Sequence, residues 1–472
     1  MPVKKEKTQP LLINNKNAII LLFCLILAMI IHVKIPYAID YYRFFFLFFI
    51  LFASTAIIYH FAEKNIRKFV LSDKDLFFCF FLTTLTTLIV KLSTVLLGQF
   101  TPEHAQDLFY IVPVFTFGMI MRMILFSEAV LIFSFILGAA VAFILGNGLS
   151  VFLYVFLGNV LAAYFTGACE KRTVILKAGF YTALITAFLV VMLHSLLGYP
   201  IASLPLRLFS ILIAGVSSSF IALGLLPVAE HLFNYSTDIR LLEMANLEHP
   251  LLGEMMIKAP GTYHHSMIVG NLSKAAAESI GAHPVLTRVA AYYHDIGKLK
   301  KPHYYIENRT NIEDAHGGLS PHMSALIILS HVKEGIDLAV RYRLGKQVEE
   351  MIKQHHGTTL VNHFYTRAKE QEDPRVYAVQ EIDFRYMGPK PQTKEAGILM
   401  LADAVEAASR NLEESTPERI ETLVQQVVEN IFADGQLDDC ELTLKDLRAI
   451  QKNFTTILLG IFHHRIQYPE SM

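Results

Sequence analysis

The chain has 472 residues, of which 53% are hydrophobic and 18% are charged, and its formal net charge is −1. This apolar excess excludes an ordinary soluble protein, and the near-zero charge gives no evidence for a nucleic-acid polymer as a partner. Phe, Leu, Ile and Val dominate before about residue 234, whereas Glu, Lys, Arg, His and Asp become common after it. The 4 cysteines form no CxxC pair, so we expect no disulfide framework and no cysteine chemistry. The composition therefore predicts one lipid-soluble part followed by one water-soluble part.

The N-terminal half contains stretches long and apolar enough to cross a bilayer, which takes roughly 20 residues. The first stretch follows several lysines but no small-residue cleavage site, so it is typical of a membrane span and not of a cleavable signal. Ser127 and Glu128 mark a turn between two further spans, because a charged residue is more often in a loop than in lipid. We predict eight spans, at residues 17–35, 41–61, 75–98, 106–125, 127–145, 149–167, 174–198 and 206–230.

Basic residues cluster at the N-terminus and after the second and sixth predicted spans, and the intervening loops are poor in Lys and Arg. By the positive-inside rule these basic segments face the cytoplasm. With an even number of spans, both termini and the whole C-terminal half are then cytoplasmic. The residues that carry this orientation are Lys4, Lys5, Lys7, Lys64, Arg67, Lys68, Lys74, Lys171, Arg172 and Lys177.

The predicted organisation is all-α, with a polytopic transmembrane helical domain at 1–233, a linker helix at 234–258 and a helical cytoplasmic domain at 259–472. The linker either transmits the state of the membrane part or only tethers the two domains, and the sequence favours the tether. In the C-terminal half, apolar residues recur at three- and four-residue steps, and no sustained alternation indicates a sheet. The predicted helices there cover residues 265–280, 284–296, 322–333, 346–356, 395–412 and 418–432.

The tail at 415–472 carries apolar residues on one side of a helical pattern. We expect this side to pack on the helices of the same domain, although a homodimer contact would also be compatible with it. The residues concerned are Leu444, Leu447, Ile450, Phe454, Ile457 and Leu458.

Five histidines and two aspartates of the C-terminal half have spacings that can enclose two metal ions: His265, His294, Asp295, His331, His355, His356 and Asp403. Neighbours on a helix point about 100° apart, so an adjacent pair reaches one site only where a helix end faces the metals. Gly297 and Gly357 follow the two pairs closely, which suits a helix end or a close approach of two backbones. Imidazole and carboxylate ligands suit Fe, Mn or Zn, and a paired-metal site typically directs a hydroxide onto phosphorus. We expect the remaining histidines of this half, among them His264, His303, His316, His322 and His363, to be surface or core residues.

Four segments carry a resemblance to a known family: 259–266 (APGTYHHS), 293–298 (YHDIGK), 354–359 (QHHGTT) and 386–395 (YMGPKPQTKE). The His … His-Asp … Asp pattern resembles the HD superfamily of metal-dependent phosphohydrolases, and the additional histidines resemble its di-metal branch. The four segments together are similar to the seven-transmembrane HD family of bacterial membrane-bound cyclic di-AMP phosphodiesterases. The resemblance extends from the second predicted span to near the C-terminus.

The resemblance implies two divalent transition-metal ions, Fe or Mn, with Asp295 bridging them. It further implies that cyclic di-AMP is hydrolysed to linear pApA by a metal-bound hydroxide, at the cytoplasmic side of the bacterial inner membrane. One metal would be held by His265, His294, Asp295 and Asp403, and the other by Asp295, His331, His355 and His356.

Asp295 and Lys298 are the candidate catalytic residues, with Lys298 contacting the phosphate or supporting the leaving oxygen. Tyr386, Lys390 and Lys394 lie in a segment that Pro389 and Pro391 keep from being a regular helix. We expect this loop to hold a base and the second phosphate of the substrate, by stacking of Tyr386 and by the charges of the two lysines. An ordinary solvated surface would also account for Lys298 and for the loop.

Members of this family usually carry a large extracytoplasmic domain after the first span, whereas here residues 35–40 leave only a short loop. This departure puts the regulation in doubt and leaves the chemistry as it is. Cyclic di-GMP is an alternative substrate, although the Gly-Tyr-Pro signature of that branch does not follow the ligands. A different phosphoester substrate is a further alternative. A membrane receptor that binds nucleotide without turnover would be marked by loss of a ligand, whereas all seven are present. A transporter should bury charges near the middle of the bilayer, whereas the basic residues cluster at the ends of the spans.

Overall fold

The structure is a computed structural model that describes residues 15–32, 41–66, 69–101, 104–146, 148–167, 169, 171–199, 201–309, 315–372, 378–410, 412 and 416–462. The chain divides into two compact units, residues 1–239 and residues 240–472. Of the basic residues used to predict the orientation, Lys4, Lys5, Lys7, Arg67 and Lys68 lie outside the described residues, as does the loop at 35–40.

The first unit is a set of apolar helices, and within the described residues eight helical stretches are long and apolar enough to cross a membrane. The fourth differs from a single span: it consists of a short helix, a 3-10 turn and a second helix. Pro113 lies at this break, where its missing N–H removes a helical hydrogen bond. The helices are α1 Asn15–His32, α2 Tyr41–Asn65, α3 Asp73–Phe100, α4 Ala105–Leu108, α5 Phe115–Ile124, α6 Ser127–Leu145, α7 Gly148–Phe165, α8 Arg172–Leu197 and α9 Leu204–Phe233, with 3-10 turns at Phe109–Ile111 and Ile201–Ser203.

Several buried polar groups of the first unit are paired within it. The hydroxyls of Thr83 and Thr87 donate to carbonyl oxygens four residues earlier in the same helix, at 2.7 and 2.8 Å. Arg207 and Asp107 form an ion pair with a 2.6 Å contact, and both side chains are largely buried. Such pairing is what a lipid-soluble unit requires of its few internal charges.

The second unit is helical, and the all-α prediction is confirmed: within the described residues its extended pairing is limited to an isolated bridge between Leu360 and Arg385. It begins within α10 Asp238–Met244 and continues with α11 Pro250–Lys258, α12 Pro260–Ile280, α13 Pro284–Tyr293, α14 Pro321–Arg341, α15 Lys346–Gln354, α16 Asn362–Glu370, α17 Lys394–Ser409, α18 Pro417–Ala433 and α19 Leu444–Phe462. Short 3-10 turns occur at Ile296–Lys300, Pro302–Tyr304, Ile306–Asn308 and Glu381–Phe384.

One apolar core joins all of these helices except α16 around α12, which packs against α13, α17 and α19. Leu241, Leu251 and Met255, which lie in the segment predicted as a linker, are buried in this same core. The predicted packing of the tail on the domain is also confirmed, because the apolar side of α19 is buried there, although Leu444 at its start is exposed. The core therefore fixes the five helices and helix ends that carry the candidate ligands.

Candidate metal centre

The candidate ligands come from five places that the core brings together. His265 lies on α12, His331 on α14 and Asp403 on α17, whereas the two adjacent pairs directly follow α13 and α15. Asp295 has left the helical conformation, with φ −107° and ψ 14°, so its side chain is not constrained to point about 100° away from that of His294. The helix ends thus allow both members of a pair to face one centre. Six of the seven side chains are buried, and that of His356 is 24% exposed.

Glycine is required after each adjacent pair for a different reason. A Cβ at Gly297 would lie 1.9 Å from the backbone oxygen of His331, because the 3-10 turn touches α14 at this point. Gly357 has φ +51°, which other residues rarely adopt, and a Cβ there would also lie 2.5 Å from the side-chain oxygen of Gln436. Both glycines therefore allow close approaches that place the ligands.

The first group of ligand atoms is formed by His265, His294 and Asp403, whose atoms lie within 4.8 Å of one another. Asp403 Oδ1 is 2.9 Å from His265 Nε2 and 3.5 Å from His294 Nε2. Asp295 Oδ2 faces the same two rings, at 3.6 Å from His265 Nε2 and 3.2 Å from His294 Nε2. Two imidazoles and two carboxylates thus surround one point.

The second group is formed by Asp295, His331, His355 and His356, again with ligand atoms within 4.8 Å of one another. Here the other oxygen of Asp295 is used: Oδ1 is 3.3 Å from His331 Nε2 and 3.9 Å from His355 Nε2. One buried carboxylate therefore contributes a separate oxygen to each group. This is the arrangement in which a carboxylate can bridge two cations.

Hydrogen bonds behind the rings orient the histidines. Nδ1 of His294, His331 and His355 donates to the carbonyl oxygen three residues earlier, at 2.7, 2.6 and 2.6 Å. Nδ1 of His265 donates to the buried carboxylate of Glu406. In each case Nε2 is left to face the centre, as is usual for histidines that ligate a metal.

The centre has the features of a cation site. His294 Nε2 and Asp295 Oδ1 are buried without a hydrogen-bond partner among the described residues, and buried polar atoms are rarely left so. Burial disfavours the charged forms of both residues, but Lys298 and His294 hold the pKa of Asp295 well below its usual value. Asp295 and Asp403 likewise outweigh burial and raise the pKa of His294 to about 10. A nitrogen and oxygen donor set with two carboxylates suits divalent transition-metal ions, so the residues fit such ions.

Lys298 lies between two carboxylates at the side of the centre. Its ammonium group is 2.7 Å from Asp295 Oδ2 and 2.8 Å from Glu307 Oε1. Burial lowers its pKa, but the two carboxylates outweigh burial and hold that pKa well above its usual value. Lys298 is therefore a fixed positive charge that is already neutralised within the protein.

A cleft of about 550 Å³ opens onto both ligand groups. Lys298, Glu307 and Arg410 contribute to its walls together with the ligands, and Tyr386 stacks on His356 with ring centroids 4.2 Å apart. Nucleotide-sized ligands commonly occupy clefts of this size, lined by aromatic and a few polar groups.

The structure does not bring every predicted substrate-binding residue to this cleft. Tyr386 and Lys298 line it, but Lys390 and Lys394 do not. The ammonium group of Lys390 donates to the carbonyl oxygen of Gly435 at 2.7 Å, and that of Lys394 is 3.0 Å from Asp446.

Glu406, Glu307 and Arg410 belong to the site although they are not among the residues predicted from the sequence. Glu406 lies one helical turn after Asp403, and Arg410 donates to it at 2.7 and 2.9 Å from one turn further on. The three- and four-residue spacing of Asp403, Glu406 and Arg410 could have indicated from the sequence that these side chains lie on one face of the helix. Glu307 has no comparable signal, because it reaches Lys298 through an irregular segment. Of the other histidines, His264, His303 and His363 are exposed, and His316 is buried with Nε2 3.0 Å from the carbonyl oxygen of Tyr304.

An all-helical domain in which His, His-Asp and Asp ligands meet at one centre belongs to the class of HD domains. In agreement, residues 262–408 match the model of the HD domain, and residues 41–237 match the model described as a 7TM receptor with intracellular HD hydrolase. These two segments of the chain are thus similar to the membrane part and the HD part of the seven-transmembrane HD family. With its eight candidate spans, the chain is a multi-pass membrane protein.

Curated relatives agree with this family. The chain is 36% identical over 429 residues to a Bacillus subtilis (strain 168) protein named cyclic-di-AMP phosphodiesterase PgpH, and the match covers 89% of this chain and 59% of that protein. It is 37% identical over 320 residues to the protein of the same name from Listeria monocytogenes serotype 1/2a (strain 10403S), and this match covers 67% of this chain and 44% of that protein. The chain thus spans about half the length of these relatives.

Two solved structures of the L. monocytogenes PgpH HD domain are also similar to this chain, one of them in complex with cyclic-di-AMP. They are 42% and 44% identical to this chain, cover 46% and 47% of it and are themselves covered completely, at 100% each. Their TM-scores are 0.43 and 0.44.

Proposed function

We propose that this protein is a membrane-bound phosphodiesterase that hydrolyses cyclic di-AMP to linear pApA in a metal-dependent reaction. The proposal rests on the position of Asp295. Its two carboxylate oxygens face two separate groups of histidines, and members of both groups line the cleft. The names of the relatives, and the relative's HD domain in complex with cyclic-di-AMP, support the choice of substrate.

The proposed ligand sets divide as the two groups do. His265, His294 and Asp403 with Asp295 Oδ2 would hold one ion, and His331, His355 and His356 with Asp295 Oδ1 the other. We propose Fe or Mn, as the family resemblance implies, and a donor set of nitrogen and oxygen without sulfur is compatible with both. When bound, two such ions would neutralise charge on the phosphate and activate water for attack on phosphorus.

The protein's own groups would complete the site around the substrate. Asp295 provides the negative charge shared by both ion positions. Lys298 keeps that carboxylate charged and in place, since it holds Asp295 and Glu307 together. Tyr386 offers an aromatic face beside His356 on which a nucleobase can stack.

The proposed orientation rests on the basic residues of the predicted loops. We propose that the C-terminal unit and both termini are cytoplasmic in a bacterial inner membrane, because the basic loop residues cluster on that side. Cleavage there would lower a cytoplasmic second messenger. We also propose that residues 259–472 form the catalytic domain, with the ligands between 265 and 403.

The test uses the full-length chain, purified in detergent and loaded with Mn²⁺. Cyclic di-AMP and cyclic di-GMP are supplied in separate reactions, and the products are identified by mass. Conversion of cyclic di-AMP to pApA is expected, and Asp295→Asn should reduce it by about 100-fold or more, because the charge shared by both ion positions is lost. Asp337→Asn is the matched control, since Asp337 is exposed on α14.

Three different results would each point to a different activity. Preferential cleavage of cyclic di-GMP would replace the proposed substrate. Binding of cyclic di-AMP by the metal-loaded protein without turnover would indicate a receptor. Neither binding nor turnover of either nucleotide would contradict the proposal and point to another phosphoester.

A further inference from the structure

A second cleft opens beside the metal cleft in the same unit. It has a volume of about 330 Å³ and shares Tyr305, Ile306, Glu307 and Ile328 with the metal cleft. We call it the side cleft. Ile306 on the shared wall is 80% exposed, although it is a large apolar residue. A ligand lying across this wall would occupy both clefts at once and cover an apolar surface that water otherwise contacts.

Two arginines line the side cleft, Arg309 and Arg367. Arg309 donates to the carbonyl oxygen of Tyr304, whereas Arg367 makes no hydrogen bond or ion pair with any other described residue. The carboxylate of Glu307 is on the shared wall, where it pairs with the ammonium group of Lys298 at 2.8 Å. An arginine without a partner at the wall of a cleft is well suited to bind a phosphate.

The side cleft is also aromatic. The ring of His316 lies between Tyr304 and Phe364, with centroid distances of 5.3 and 4.9 Å. Its Nε2 atom is 3.0 Å from the carbonyl oxygen of Tyr304, so the ring is held in one orientation. Flat rings next to arginine side chains are the usual surroundings of a nucleoside in a protein.

The substrate class needs such a second site. A cyclic dinucleotide carries a second phosphodiester on the side of its ring away from the one that reacts, and Lys390 and Lys394 are bound to other groups outside the cleft. We propose that the side cleft binds the second nucleotide, with Arg367 at its phosphate and the Tyr304, His316 and Phe364 rings near its base. This inference rests on the proposed function and adds a specificity site to it.

The test measures KM and kcat of the full-length, Mn²⁺-loaded protein for two substrates. One is cyclic di-AMP, and the other is bis(p-nitrophenyl) phosphate, a single phosphodiester too small to span both clefts. Arg367→Gln should raise KM for cyclic di-AMP by about 10-fold or more, because a charge-assisted hydrogen bond is lost. Its kcat for both substrates and its KM for the small diester should stay within about 2-fold, because Arg367 does not touch the metal ligands. Lys369→Gln is the control: it removes a charge from an exposed position of the same helix, α16.

The outcomes separate this inference from the proposed function. If the wild-type protein cleaves cyclic di-AMP and Arg367→Gln has an unchanged KM, the side-cleft assignment is wrong and the phosphodiesterase assignment stands. An equal loss on both substrates would show a general structural defect and would also overturn the assignment. If the wild-type protein cleaves the small diester but not cyclic di-AMP, the proposed substrate itself is wrong.

Discussion

Glu406 provides a test of how the protein orients its candidate ligands. Its side chain is 3% exposed, accepts a hydrogen bond from Nδ1 of His265 and is held from the other side by Arg410. Glu406→Ala removes the acceptor behind one histidine of the first ligand group and leaves the ligands themselves in place. Glu406→Gln keeps an oxygen that can accept the same hydrogen bond.

The size of the effect follows from these contacts. A buried N–H that loses its acceptor costs about 1–3 kcal/mol, which corresponds to roughly 5- to 150-fold in metal affinity. Losses of the same order, about 10- to 100-fold, are typical when the partner behind a ligating histidine is removed. For Glu406→Gln we expect less than about 10-fold, because only the charge is lost. Glu406 contacts His265 and no ligand of the second group, so only one of two binding steps should weaken.

Titration calorimetry of Mn²⁺ binding to the metal-stripped, full-length protein measures both steps. Glu429→Ala is the control, because Glu429 is an exposed glutamate on α18. Unchanged affinity in Glu406→Ala, or equal weakening of both steps, would refute the reasoning that this contact orients His265 for one ion.

Three further predictions follow from the geometry and charges of the centre. Gly297→Ala places a methyl group 1.9 Å from a backbone oxygen of α14. We therefore expect the free energy of unfolding to fall by at least about 1 kcal/mol and the thermal midpoint by roughly 2–4 °C or more. Gly318→Ala is the control: a Cβ there meets nothing within 4 Å, so the midpoint should be unchanged. Asp295 and Asp403 raise the pKa of His294 to about 10, so its imidazole must lose a proton before a cation binds there. The affinity for Mn²⁺, measured by calorimetry, should therefore rise with pH from about 6 to about 9. An affinity independent of pH would contradict this competition. Removal of metal with a chelator should abolish turnover and lower the thermal midpoint, and added Mn²⁺ should restore both; a chelated protein that keeps its activity would exclude metal-dependent hydrolysis.

The fold was largely predictable because its two halves follow strong patterns. Apolar runs of span length give the helices of the first unit, and three- and four-residue periodicity gives those of the second. The break around Pro113 was harder to predict, because the apolar run of the sequence continues through it. In the same way, the segment at 234–258 reads as a linker, yet Leu241 and Leu251 are buried in the core of the second unit.

The candidate ligands could be picked out from the sequence because adjacent His-Asp and His-His pairs with nearby glycines are unusual in a helical region, and the structure brings these residues together. The contacts around the candidate ligands were harder to predict from the sequence. Lys390 and Lys394 look like free positive charges in the sequence, but Gly435 and Asp446, more than forty residues away, bind their ammonium groups. Glu307 reaches Lys298 through the irregular segment after α13, and no periodicity indicates such a contact. Long-range contacts of this kind depend on the packed structure and not on local pattern.

The most direct test of the central claim is the rate of cyclic di-AMP hydrolysis as Mn²⁺ is added stepwise to metal-stripped, full-length protein. If Asp295 joins two ion positions into one catalytic centre, pApA formation should remain low up to one equivalent and reach its full rate at two. Full activity at one equivalent, or no activity at any amount of Mn²⁺, Fe²⁺ or Zn²⁺, would contradict that claim.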